Sequence, residues 1–208
     1  MKYSVIIVAS GKGNRMNLGY NKVYYKIDEE MIIEKSINTF IKDKECTQII
    51  VVTNKEEFHY LNKYNNITLI QGGNRRMDSV LNGLNIVNNE YVLVHDGARP
   101  YITLDIINDL KKELLVSDAC IVAVDSIDTI KQVKDNGLVT LDRSTIKNAQ
   151  TPQGFKTSII KDAYNNISSD IEYTDDASIV EKVLGIRVSY VNGSYSNIKI
   201  TTLKDIIK

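Results

Sequence analysis

The chain has only two cysteines and two histidines in 208 residues, and its charges cancel, 26 Lys and Arg against 26 Asp and Glu. Each shortage removes a class of function. Cys46 and Cys120 lie far apart, with neither metal-ligand nor redox-pair spacing, so they read as small apolar fillers in a reducing compartment. Two histidines argue against a His-based metal site. Zero net charge gives no overall basic field toward nucleic acid or an anionic membrane, so any anion must be bound locally. Long hydrophobic runs are missing as well: the apolar stretch at residues 5–9 is too short for a signal-peptide core or a membrane span. The expectation is a cytoplasmic protein with neither nucleic-acid nor membrane partners. No internal repeat, low-complexity stretch or long linker is present, and the length and 43% apolar content suit a single domain, 1–208.

What the chain does have is alternation. Short apolar runs at 5–9, 48–53, 67–70, 91–95, 119–124 and 186–191 read as strands. Between them, 31–40, 56–64, 77–87 and 103–116 place apolar residues at three- and four-residue intervals, as helices with one buried stripe do. The pattern predicts an α/β fold with a mostly parallel sheet covered on both faces, and ligands beyond the carboxyl ends of its strands. Residues 125–147 break the alternation with two β-like stretches around Asp135-Asn136-Gly137, a hairpin-turn signal. This protruding β-arm carries Ile127, Ile130, Val133, Leu138, Val139 and Leu141. An isolated ribbon is marginal in water, so the arm is expected to pack on a second subunit in a homodimer.

The first strand runs into Ser10-Gly11-Lys12-Gly13-Asn14-Arg15-Met16, with Lys22 following. This is neither a Walker A loop nor a dinucleotide fingerprint, because the Gly-Lys-Ser/Thr ending and the third Gly are both absent. It reads either as a loop that turns backbone N–H groups to a phosphate, with Arg15 and Lys22 adding charge, or as a plain turn with solvated cations. Asp96 and Arg99, in His95-Asp96-Gly97-Ala98-Arg99-Pro100, either meet a substrate's hydroxyls and phosphate or brace a turn as an ion pair. His95 is read as a satisfied sheet histidine. In Gly72-Gly73-Asn74-Arg75-Arg76-Met77-Asp78-Ser79, glycine lets a flat base approach, and Asn74 and Ser79 offer groups to its edge; a simple turn is the other reading. Thr174 or Asp175 either caps a helix starting near Asp176 or touches ligand. Lys199 lies in an alternating segment, 198–201, read as a strand, on its ligand-facing or its exposed side.

Taken in order, these segments, together with Ala149-Gln150-Thr151-Pro152-Gln153-Gly154-Phe155 and Asn197-Ile198-Lys199-Ile200-Thr201, resemble the 2-C-methyl-D-erythritol 4-phosphate cytidylyltransferases over nearly the whole chain. The resemblance implies a doubly wound, Rossmann-like nucleotidyltransferase fold and a dimer with exchanged arms. It implies that Arg15 and Lys22 stabilise charge on the α-phosphate of CTP, that Ala9, Ser10, Gly11 and Gly13 hold the nucleotide, and that Gly73, Asn74 and Ser79 hold cytosine. Asp96, Arg99, Thr151 and Lys199 would then position methylerythritol phosphate, Gly97 and Thr174 would also touch substrate, Thr129 and Arg143 would reach over from the partner's arm, and Mg²⁺ would bridge the phosphates. Lys199 and Arg143 join Arg15 and Lys22 as the catalytic cations. Three departures stand out: Ser10 replaces a usual Ala, Asn21-Lys22-Val23 replaces Pro-Lys-Gln, and Asn74 replaces a frequent Asp. Loss of the Pro is expected to loosen the loop before Lys22. A ribitol 5-phosphate cytidylyltransferase, sharing fold and chemistry, is the nearest rival; a nucleotide-binding module without catalysis is the more distant one.

Overall fold

The computed structural model describes residues 1–11, 19–168 and 170–206. Its first strand, β1 (Tyr3–Val8), is apolar from Val5 onward because both faces are covered: Val5 and Ile7 enter one core and Ile6 the other, all fully buried. Each such side chain stabilises the fold by about 1.5–3 kcal/mol. A small ribbon of β2 (Lys26–Ile27) and β3 (Glu30–Met31) leads into α1 (Ile32–Lys42), and β4 (Cys46–Thr53) returns beside β1. Next come β5 (Thr68–Gln71), α2 (Arg76–Leu84), β6 (Tyr91–Asp96), α3 (Leu104–Glu113) and β7 (Ala119–Asp125). The chain continues through β8 (Lys131–Lys134), β9 (Gly137–Thr140), β10 (Lys147–Lys156), α4 (Thr157–Asn165), α5 (Asp176–Leu184) and β11 (Ser189–Asn192).

Among the described residues the main sheet has seven strands in the order β11-β7-β10-β6-β1-β4-β5, all parallel except β10. One face is covered by α1, through Ile33, Ile37 and Phe40, and by α3, through Ile106, Ile107 and Leu110. The other is covered by α2, α4 and α5, through Val80, Leu84, Ile160 and Val180. The sheet is therefore wound on both sides, as the alternation predicts. Between β1 and β6 the winding reverses direction, and a crevice opens there at the carboxyl ends.

Three elements differ from the sequence reading. Residues 56–64 do not form an α-helix; a 3₁₀ helix, Lys55–Leu61, takes their place, in which Leu61 alone is fully buried. Phe58 and Leu61, three apart, suit a three-residue turn as well as an α-turn. β10 lies antiparallel in mid-sheet, with Pro152 inside a register shift between Gln150 and Gln153, where a ladder tolerates proline. Residues 198–201 do not form a strand: Ile200 N–H bonds Ala98 O at 2.8 Å, but no strand ladder forms.

Among the described residues β8 and β9 pair only with each other, through a two-residue Asp135-Asn136 loop closed by Gly137 at φ +122°. Every residue of both strands is exposed, and Val133 and Leu138, directly opposite one another, are 80% and 66% exposed. No described helix is long and apolar enough to cross a membrane.

Candidate active site

A cleft of about 770 Å³ sits over the carboxyl ends of β1, β5 and β6, lined among others by Ser10, Lys22, Gly73, Arg76, Asp96 and Lys199. In sheet order the tips of β5 and β6 flank that of β1 on opposite sides. The cleft thus has a glycine-rich side and a carboxylate side, with β1 between them.

On the glycine-rich side the backbone is packed to its limit. A Cβ on Gly72 would lie 2.3 Å from Ser10 Cβ, and one on Gly73 would lie 2.3 Å from Asp78 Cβ, so neither position accepts a side chain without movement. Ser79, placed by the sequence reading at the edge of a base, is fully buried, and its hydroxyl has other partners. It accepts from Gly73 N–H at 3.0 Å and donates to Arg75 O at 3.2 Å, which leaves the Ser10 hydroxyl, 2.8 Å away, as donor to Ser79. Ser79 therefore shapes the turn, while Ser10, Gly11, Gly73 and Asn74 face the cleft. The Ala9 N–H is also engaged, by Val52 O at 2.8 Å, so backbone donors for an anion begin after Ala9.

Lys22 opens a single 3₁₀ turn, Lys22–Tyr24, and is 8% exposed on the cleft wall. The loop expected to loosen before Lys22 lies mostly outside the described residues, and Asn21, at its end, is held by its side chain. Asn21 Nδ2 donates to Ala9 O at 2.5 Å and to Glu57 Oε2 at 3.3 Å, and Asn21 Oδ1 accepts from Val23 N–H at 3.4 Å.

On the carboxylate side, Asp96 Oδ2 accepts from Lys199 Nζ at 2.6 Å and Oδ1 from Arg76 Nε at 3.1 Å. The two terminal nitrogens of Arg76 grip the fully buried Asp176 at 3.0 and 2.9 Å, and Tyr164 Oη donates to the same carboxylate at 2.6 Å. Burial works to raise the Asp96 carboxyl, but Arg76 and Lys199 outweigh it and hold the group well below the usual range. Asp96 is thus an anion held between two cations, one of which starts a helix.

Thr151 and Arg99 stand behind this pair and do not line the cleft. Thr151 Oγ1 accepts from Asp96 N–H at 3.0 Å and lies 3.1 Å from His95 Nδ1, while Arg99 donates to Asn197 O at 2.7 Å. Arg99 does not pair with Asp96, so the turn-bracing ion pair is not formed. Burial pushes the His95 imidazole down to about 4, and both its nitrogens have partners, Thr151 and Arg99 O. Gly97 draws the loops after β1 and β6 together through its N–H to Val8 O at 2.9 Å. Asp175, not Thr174, caps α5, accepting from Ser178 N–H at 2.8 Å. Thr174 is exposed and off the cleft, and Thr129 and Arg143 are exposed at the arm, where Arg143 donates to Ile127 O at 2.6 Å. Gly13 and Arg15 lie outside the described residues.

Arg76, the residue that joins the two buried carboxylates, carries no role in the sequence motifs. One signal was available: a cation in the first turn of a helix opposes the helix dipole, and Arg76 is the first residue of α2.

A family model described as 2-C-methyl-D-erythritol 4-phosphate cytidylyltransferase matches residues 3–208. Proteins of that name from Bacillus cereus and Clostridioides difficile are each 43% identical to this chain, covering 99% and 98% of it and 95% and 90% of their own lengths. Among solved structures, the 4-diphosphocytidyl-2C-methyl-D-erythritol synthase of Anaerococcus prevotii matches with a TM-score of 0.89 at 33% identity, covering 99% of this chain and 93% of that one. The Francisella tularensis 2-C-methyl-D-erythritol 4-phosphate cytidylyltransferase gives 0.83 at 34%, with coverage of 100% and 97%.

Proposed function

The chain belongs to the 2-C-methyl-D-erythritol 4-phosphate cytidylyltransferase family and transfers a cytidylyl group from CTP to that acceptor; we propose that its cleft divides between the two substrates. The products are CDP-methylerythritol and pyrophosphate, on the non-mevalonate route to isoprenoids. The methylerythritol acceptor in the names of the family and its relatives disfavours the ribitol phosphate alternative.

CTP takes the glycine-rich side. The bare Gly72–Gly73 backbone meets the face and edge of cytosine, and Asn74 supplies a neutral amide where an acid is frequent. Backbone donors from Ser10 onward hold phosphates, and Lys22, with Arg15 beyond the described residues, faces the α-phosphate. The acceptor takes the carboxylate side, its hydroxyls on Asp96 and its phosphate on Lys199. The observation that carries this division is the Lys199–Asp96 contact at 2.6 Å on the β6 side of the same cleft. An acceptor phosphate shares Lys199 with Asp96 rather than meeting a bare carboxylate.

As an oxygen of that phosphate attacks the α-phosphorus in line, the bond from the α-phosphorus to the β-phosphate oxygen breaks and negative charge builds on the α-phosphate oxygens and the departing pyrophosphate, so the protein's task is positioning and fixed positive charge. No protein nucleophile is required. Mg²⁺ suits this cleft as a companion of the triphosphate: among the described residues no cluster of three or more His, Cys, Asp or Glu offers a cage, and both Asp96 oxygens are engaged. When bound, it would neutralise phosphate charge. The exposed arm would pack on a second copy, delivering Thr129 and Arg143 to the partner's acceptor side. The same reading puts the enzyme in the cytoplasm.

Pyrophosphate release with CTP and Mg²⁺ tests the reading. Turnover is expected with methylerythritol 4-phosphate and not with ribitol 5-phosphate, and CTP should be preferred over UTP or ATP. Preference for ribitol phosphate would overturn the acceptor assignment, and CTP binding without turnover would overturn the catalytic one.

A further inference from the structure

We infer that Glu57, acting with Asn21, is the positioning residue that fixes the Lys22 turn against the end of β1. The inference rests on the role of Lys22 proposed above. A lysine that stabilises a developing charge has to stay in place while its own side chain is long and flexible, so the backbone beneath it has to be held. Here the backbone is held on both sides of Lys22, and both attachments lead to one carboxylate oxygen.

The first attachment is Asn21. It is 5% exposed, and its amide bridges Ala9 O, at the end of β1, and Glu57 Oε2. The second is Tyr24, whose hydroxyl lies 2.7 Å from Thr53 Oγ1. Thr53 gives its one proton to Glu57 Oε2 at 2.7 Å, so Tyr24 must be the donor to Thr53. The Tyr24 ring also stacks on Tyr60, centroids 4.4 Å apart and planes 21° from parallel, within the 3₁₀ helix that carries Glu57. Asn54 completes the arrangement, donating to Glu57 Oε2 from its side chain at 2.9 Å and its backbone at 3.3 Å. An ionised carboxylate can serve several donors at once, and such charge-assisted bonds are about twice as strong as neutral ones.

The substitution at position 21 makes the inference specific to this chain. Asn21 sits at φ −69°, within the range a proline ring imposes, about −65 ± 15°. The amide therefore reproduces by hydrogen bonding a backbone angle that proline fixes covalently. Asn21 depends on Glu57 and Ala9 for this, whereas proline would not.

The test compares single-turnover rates for CTP and methylerythritol phosphate, expressed per CTP-binding site so that any unfolded fraction drops out. Glu57→Ala and Asn21→Ala are each expected to slow the chemical step on the order of 10- to 100-fold, with CTP affinity little changed. Glu57→Gln, which keeps an acceptor but loses the charge, should lie between these and the natural enzyme, and Asn21→Pro should restore most of the rate lost in Asn21→Ala. In a Lys22→Ala background, Glu57→Ala should add no further loss, since the residue it positions is gone. A merely structural Glu57 would slow both backgrounds alike, and that result overturns the inference, as would unchanged rates in both alanine variants. Should Glu57→Ala yield no CTP-binding protein, the contrast between Asn21→Ala and Asn21→Pro decides: equal rates overturn the inference. Full turnover in Lys22→Ala itself would instead refute the catalytic role of Lys22, which separates the two failures.

Discussion

Replacing Arg76 with Met keeps a long side chain but removes the guanidinium that reaches both Asp96 and Asp176. Asp176, with a side chain 0% exposed, would retain Tyr164 as its donor and lose both charge-assisted bonds. Asp96 would keep Lys199 but lose its link to α2. Removing one partner of a buried ion pair typically costs about 3–5 kcal/mol, because the stranded charge cannot recover its hydration. In a domain of this size each kcal/mol shifts Tm by about 2–4 °C, so Arg76→Met should lower Tm by about 6–20 °C. Adding Asp176→Asn replaces the stranded charge with an amide that Tyr164 still serves, and the double variant should be more stable than Arg76→Met alone. Thermal and urea unfolding of the natural protein, both single variants and the double variant measure this. A Tm within about 2 °C of the natural protein, or strictly additive losses, would refute the view that Arg76 and Asp176 form one unit.

Three other outcomes follow from particular contacts. Gly72→Ala sets a methyl 2.3 Å from Ser10 Cβ, so it should cost about 1–3 kcal/mol in urea unfolding, and Ser10→Gly in the same chain should recover most of that; no recovery would contradict the packing. His95 is neutral in the fold down to about pH 4 because burial outweighs the pull of Asp96, whereas an unfolded imidazole protonates near 6.5. The unfolded chain thus takes up the proton first, and stability should fall by up to about 3 kcal/mol between about pH 6.5 and 4, a slope that His95→Asn should flatten. Replacing the exposed cross-strand pair as Val133→Lys with Leu138→Glu places opposite charges facing across the hairpin and removes its most exposed apolar pair. Sedimentation is expected to give the proposed dimer for the natural protein and monomer for this variant; a monomeric natural protein or an unchanged dimer in the variant would refute the arm's proposed role.

What the sequence reveals and what it hides have physical causes. β1, β4 and β6 are legible because strands covered on both faces must be apolar at nearly every position, as Val5, Ile6 and Ile7 are. β10 escapes because Gln150, Thr151, Pro152 and Gln153 carry no apolar signature. They are buried all the same, and Gln153 is satisfied by donating to Asp175 at 2.7 Å and accepting from Ala177 N–H at 3.1 Å. At the site, Asp96 and Lys199 are legible as residue types within motifs, and the fold brings them to 2.6 Å across 103 positions. Arg76 lies beside another arginine and finds its carboxylates 20 and 100 residues away, a relation that local pattern does not carry. The support beneath Lys22 is hidden for the same reason: proline announces a fixed backbone, whereas Asn21 does so only once Ala9 and Glu57 are next to it.

The division of the cleft is tested most directly by Lys199→Ala, with CTP affinity and methylerythritol phosphate kinetics measured on the same preparation. Lys199 touches Asp96 on the β6 side, away from the Gly72–Gly73 turn. The CTP Kd should therefore stay within about threefold, while kcat/KM for the acceptor falls on the order of 10²- to 10³-fold. A large loss of CTP affinity with acceptor kinetics preserved would place Lys199 on the nucleotide and contradict the account.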